Sequence, residues 1–161
     1  MAATVGLRWI AAAAALWLAT PSLAAGDGDA GAMMRTTKHA FQDVLTDVEA
    51  AIVNRGLVID LKGNIGAMLD RTGKDLGSSK KLYTSAQYFT FCSARLSRAM
   101  MEVDPGNMAF CPFVVFVYER AEEPGIVTVG FRRPPAAAGA SSAAFADIDK
   151  LLTGIVEEAT K

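Results

Sequence analysis

A single histidine and only two cysteines occur in the 161 residues. One histidine cannot supply a two-histidine hydrolytic zinc site, and it leaves no convincing Ser-His-Asp set. The cysteines, Cys92 and Cys111, are too far apart in sequence for a Cys-x-x-Cys redox motif or a Cys-x-x-Cys-His haem attachment. Charge of one sign is also missing. Lys and Arg total 16 against 17 Asp and Glu, so there is no broad basic face and nucleic acid is not an expected partner. Beyond the N-terminal segment, no apolar run approaches the ~20 residues that a membrane-crossing helix needs.

The N-terminal segment is itself distinctive. Arg8 starts it, "WIAAAAALWLAT" is an apolar run too short to span a bilayer, and "PSLAA" supplies small residues for cleavage. This is the layout of a secretory signal peptide over residues 1–25, cut after Ala24 or Ala25. The competing reading, a retained membrane anchor, is weakened by the shortness of the run. Removing the segment leaves about 136 of the 161 residues, enough for one domain with its own core. Loss of Arg8 takes the formal charge from -1 to -2. The mature chain is expected to be soluble and periplasmic or secreted, with no membrane span left after cleavage.

Residues 26–35, "GDGDAGAMMR", read as a flexible small-residue leader, with order beginning near Thr36. Phe41, Val44, Leu45, Val48 and Ile52 recur at the spacing of one helical face, with Thr36 or Thr37 as cap and Gly56 as a left-handed stop. "LVIDL" reads as a strand. Asn64 caps a short helix carrying Ile65, Met68 and Leu69 that Gly73 ends. "AQYFTF" is a second strand, followed by a helix from Cys92 to Val103 and a "DPGN" turn. "PFVVFVYE" is apolar on both faces, which predicts a central covered strand. "EEPG" turns it back into "IVTVGFRR", whose Val127, Val129 and Phe131 face inward. After a low-complexity linker, the final helix presents Phe145, Ile148, Leu151, Leu152, Ile155 and Val156. The expected architecture is a single α+β domain, a mixed four-stranded sheet with helices packed on it, in the order α-β-α-β-α-β-β-α.

Three of these stretches form a recognisable set. "FQDVLTDVEAAIVNRGLVID", "FCSARLSRAMMEVDPGNMAFCPFVVFVYE" and "GIVTVGFRRP" resemble the opening helix and strand, the middle segment and the closing strand of the family catalogued as domain of unknown function 302 (DUF302). The middle segment resembles an exported branch with paired cysteines. The resemblance assigns residues 36–135 to the family domain and leaves 136–161 as linker and C-terminal amphipathic helix. It implies a compact α/β domain, often associated as a homodimer, and no established reaction, so it carries over no catalytic residue.

The cysteines admit several roles. In an oxidising compartment a lone pair most often forms a disulfide, and a Cys92–Cys111 bond would stabilise the fold by ~3 kcal/mol in the chain-entropy model. A thiolate at a helix start is favoured by the backbone dipole, which is the redox reading. Cys92, Cys111, Met100, Met101, Met108 and His39 are ligand types suited to copper or haem iron, with Met101 judged to point away from the helix's apolar face. Against this, Met fills core gaps far more often than it binds metal. Two free buried thiols complete the alternatives.

Arg120, Arg132 and Arg133, at the hairpin ends, are candidate anion ligands, although a solvated strand edge is the favoured explanation. Tyr83, Tyr88 and Tyr118 are expected to be half-buried packing residues. "GKDLGSSKK" follows a helix instead of joining a strand to one, so it is no phosphate loop. The leading expectation is a non-catalytic ligand-binding or accessory module stapled by a Cys92–Cys111 disulfide. Its partner is a small ligand or a periplasmic protein, held in a groove between the sheet and the cysteine-bearing helix or in a dimer cleft. No cofactor is expected and an enzymatic role has the least support. The alternative is a periplasmic redox or metal- and haem-handling protein using Cys92, Cys111 and the nearby methionines.

Overall fold

The sheet is held together by long-range antiparallel pairing. In the computed structural model, which describes Met1 and residues 31–133 and 142–161, the first strand, β1 (Ala32–Thr37), pairs with the last, β5 (Val127–Arg132). The expected signal peptide, the start of the leader and most of the linker lie outside the described residues. Between those strands run α1 (Phe41–Val53), β2 (Val58–Gly63), α2 (Ile65–Gly73), β3 (Tyr83–Cys92), α3 (Ala94–Val103), a 3-10 helix (Pro105–Phe110) and β4 (Phe113–Arg120). Helix α4 (Ser142–Glu158) follows β5. The strand order is β1-β5-β4-β3-β2, with every neighbouring pair antiparallel.

The α+β class and the helix packing agree with the sequence, but the strand count, the mixed sheet and the element order are corrected. Five strands are present among the described residues, because part of the presumed leader is β1. "AMMRTT" carries no clean alternation, since an edge strand buries only part of one side; Met33 packs on the core while Met34 and Arg35 are exposed. Every pairing is antiparallel because α2 and α3 each return the chain beside the strand it has just left in the opposite direction, whereas α1 joins β1 to β2, which run the same way at opposite edges and do not pair.

Local signals explain most of the remaining boundaries. Asn64 Oδ1 accepts the Ala67 N–H at 2.8 Å and caps α2 as expected. Gly56 adopts φ +73°, where the chain leaves α1 and turns into β2. Helix α1 starts after Ala40 with no side-chain cap, so neither Thr36 nor Thr37 serves; both belong to β1. Helix α3 starts two residues later than expected. Cys92 ends β3, and Ser93 caps the helix by accepting the Leu96 N–H at 3.4 Å.

One sheet face carries Phe89, Phe91, Phe113, Val115, Val117, Val127, Val129 and Phe131, all buried. Over it lie Val44, Val48 and Ile52 of α1, Leu96 and Met100 of α3, and Phe145, Ile148, Leu152, Ile155 and Val156 of α4 in one continuous core. The C-terminal helix is thus a structural layer of the domain. Its attachment is reinforced by ion pairs from Arg35 to Glu157 at 2.7 Å and from Arg55 to Glu158 at 2.8 Å. The opposite sheet face is covered less completely. Helix α2 meets it at β3, where an added Cβ on Gly66 would stand 3.0 Å from the Ala86 backbone nitrogen. Towards β1 that face is open. Among the described residues, no helix is long and apolar enough to cross a membrane.

Candidate functional site

The register between β3 and β4 brings the two cysteines together. Phe91 stands opposite Phe113, so the residues just beyond them, Cys92 and the Cys111-Pro112 step, meet at the same end of the sheet. The 3-10 helix delivers Cys111, whose N–H donates to the Met108 carbonyl at 3.0 Å. Its Sγ lies 3.3 Å from the Ser97 Oγ, one turn into α3. The strand register sets Cys92 beside the Cys111–Phe113 stretch, near enough for those residues to act on its thiol.

Both cysteines are free thiols, and their sulfurs are not at bonding distance. The covalent staple expected from the sequence is therefore not formed in this structure; two neighbouring thiols stand where it was expected. Cys92 is exposed as a residue and Cys111 half-buried. Partial shielding of the Cys92 sulfur from water, then the charge and hydrogen bond of Cys111, then the Asp60 carboxylate, push its thiol up to about 11. The Phe113 N–H opposes this only weakly, as the last of the causes. This is the reverse of an activated nucleophile, whose pKa is depressed. The helix dipole gives no help, because Cys92 lies in the strand ahead of the cap.

The remaining candidate ligands differ in their surroundings. Met100 is fully buried in the core, and Met101 is half-buried against it, contrary to its expected outward orientation. Met108 is exposed on the 3-10 helix. His39 lies in the turn after β1, at the Thr37–Val127 end of the sheet, whereas the thiols lie at the other end. Among the described residues, no group of three or more His, Cys, Asp or Glu is placed to hold a metal ion.

The three arginines are likewise separated. Arg120 ends β4 opposite Tyr83 and pairs with Glu123 in the following turn. Arg132 lies at the far end of the hairpin opposite Ala32, and Arg133 reaches Asp149 of α4 at 3.1 Å. The hairpin puts Arg120 and the other two at opposite ends of antiparallel strands, so they form no common anion site.

The expected groove between the sheet and α3 is also absent, because Leu96 and Met100 fill that space. Nearby lies a crevice of about 10 Å³, bordered by Phe110, Pro112 and Arg132. A larger groove, about 940 Å³, opens on the uncovered sheet face. Met34, Tyr118 and Thr128 contribute to it, and its charged groups are Arg35 paired with Glu157, Arg120 paired with Glu123, and Lys161. Tyr118 packs edge-on against Tyr83 at 5.5 Å between ring centres, and Phe116 stacks beside it at 6.1 Å. Tyr83, Tyr88 and Tyr118 are half-buried, as the sequence suggested. Sequence reasoning missed this groove because its walls come from β1, the hairpin and the end of α4. It missed Ser97 as well, although a serine one turn beyond the helix cap was a legible signal once the strand register was known.

The family model described as domain of unknown function DUF302 matches residues 33–159, which includes β1 and α4. The chain is similar to a solved structure, an uncharacterized conserved DUF302 protein from Bacillus stearothermophilus, with a TM-score of 0.67 and 14% identity. The match covers 82% of this chain and 99% of that one, and at this identity it bears on the fold alone. No curated protein matches.

Proposed function

The chain belongs to the DUF302 family, and from that premise we propose that it is an exported, non-catalytic binding module closed by a Cys92–Cys111 disulfide, with its ligand in the open groove. The groove carries the reading. It joins an apolar floor, Met34 and Tyr118, to a rim of mixed charge, in which Arg120 pairs with Glu123, Arg35 pairs with Glu157 and Lys161 adds a further cation, which suits a small amphipathic ligand carrying an anionic group. The fixed aromatic pair Tyr83–Tyr118 supplies a contact surface that needs little reordering on binding. The disulfide is supported by the strand register, which brings Cys92 and Cys111 to the same end of the sheet, and by the oxidising compartment that the N-terminal segment implies.

Against a redox enzyme stands the raised Cys92 pKa, which leaves little thiolate at neutral pH. A binding test follows directly. The anionic fluorophore anilinonaphthalene sulfonate should bind the folded protein with saturable fluorescence, and Tyr118→Ala combined with Arg120→Glu should weaken it by about tenfold, the equivalent of ~1.4 kcal/mol. Equal binding by the double variant, with its melting curve intact, would place the ligand elsewhere.

A further inference from the structure

The thiol end of the sheet offers a second, separate chemistry. We infer that the reduced chain binds one Cu(I) ion between Cys92 and Cys111, as a two-coordinate dithiolate. Three observations lead there. The register of β3 and β4 brings the two cysteines to the same end of the sheet, and Cys92 there is accessible from solvent. The Ser97 hydroxyl, 3.3 Å from the Cys111 sulfur, is positioned to stabilise a bound thiolate there. Finally, among the described residues no His, Asp, Glu or third Cys joins the two thiols in a larger set. Zinc asks for four ligands in a tetrahedron, whereas soft thiolates select Cu(I).

Binding is a simple exchange of protons for metal. One Cu(I) displaces one proton from each thiol, two S–Cu bonds form, and no electron is transferred. The resulting unit carries one net negative charge. Arg132, bordering the crevice beside Pro112, supplies a cation on the same side of the sheet end. Metal and disulfide exclude one another, since an oxidised pair has no thiolate to offer. The site therefore belongs to the reduced chain and is independent of the groove, so the groove reading and the copper reading can fail separately.

The test uses the full mature chain, reduced and free of oxygen, titrated with Cu(I) against bathocuproine disulfonate. One equivalent per chain should be held, and Cys92→Ser should weaken it by about 100-fold, as expected when one of only two ligands is lost. Ser97→Ala, which leaves both ligands in place, should weaken it by about tenfold, the effect of removing a hydrogen bond to a ligand. X-ray absorption should find two sulfur neighbours at the copper. A denaturant midpoint for reduced Cys92→Ser equal to that of the reduced parent certifies the fold. Complete loss of copper to the chelator, equal retention by Cys92→Ser, a third heavy neighbour, or Zn(II) bound as tightly as Cu(I) would each overturn the inference.

Discussion

Replacing Cys92 with serine tests the proposed disulfide most cleanly, because the two cysteines differ in what else they do. Cys111 is half-buried, packs against the core and contacts Ser97, so its substitution changes packing as well as redox chemistry. Cys92 is exposed, and serine preserves its approximate size. A Cys92–Cys111 bond would close a loop of about 20 residues, enclosing all of α3 and the 3-10 helix. Chain-entropy reasoning puts the stabilisation at about 3 kcal/mol for such a loop. For a domain of this size that corresponds to a fall in Tm of about 10 °C. Scanning calorimetry on oxidised parent and oxidised Cys92→Ser protein measures it, with both reduced forms as the control pair. The reduced forms should melt together, because the remaining contacts are shared. Equal melting of the oxidised forms, or a parent mass that is not two hydrogens lower than in the reduced state, would refute the reasoning.

Two further outcomes follow from the geometry. Gly130→Ala should destabilise the fold by about 2 kcal/mol in urea titrations: the new Cβ would stand 2.5 Å from the Met33 carbonyl oxygen and 2.7 Å from the Phe116 ring, and the carbonyl cannot retreat without straining the β1–β5 pairing. In the reduced protein, alkylation of Cys92 at pH 8 should run about 100-fold slower than for an ordinary thiol and accelerate up to about pH 11, since its folded pKa lies near 11 and only the thiolate reacts. The same shift sets a direction for stability. The unfolded thiol loses its proton near pH 9 and the folded one near 11, so the reduced fold weakens as pH rises through that window.

Most of the core was legible in the sequence, and the reasons are local. The helical spacing of Val44, Val48 and Ile52, and the stripe of Phe145, Ile148, Leu152 and Ile155, directly mark buried faces. The alternation of Val127, Val129 and Phe131 marks the inward side of β5. β1 escaped because "AMMRTT" earns its place as a strand only through a partner about a hundred residues away. The candidate site divides in the same way. That Cys92 and Cys111 meet follows from two strands joined by one short helix and a 3-10 turn, elements that were readable to within a few residues. Whether their sulfurs are joined depends on side-chain geometry and redox conditions, which periodicity does not encode. The arginines mislead for a simpler reason: residues at both tips of a hairpin look equivalent in sequence, although in space the hairpin's length separates them.

The placement of β1 has a consequence for how the molecule comes into being. A ribosome or a translocation channel releases Ala32–Thr37 early, yet its hydrogen-bonding template, Val127–Arg132, emerges near the end. Until then the first strand has no ladder to join, and α4, which pins it through Arg35 and Glu157, is later still. The sheet is thus sealed last at the margin that is synthesised first, an order that delays closure until nearly the whole polypeptide has arrived.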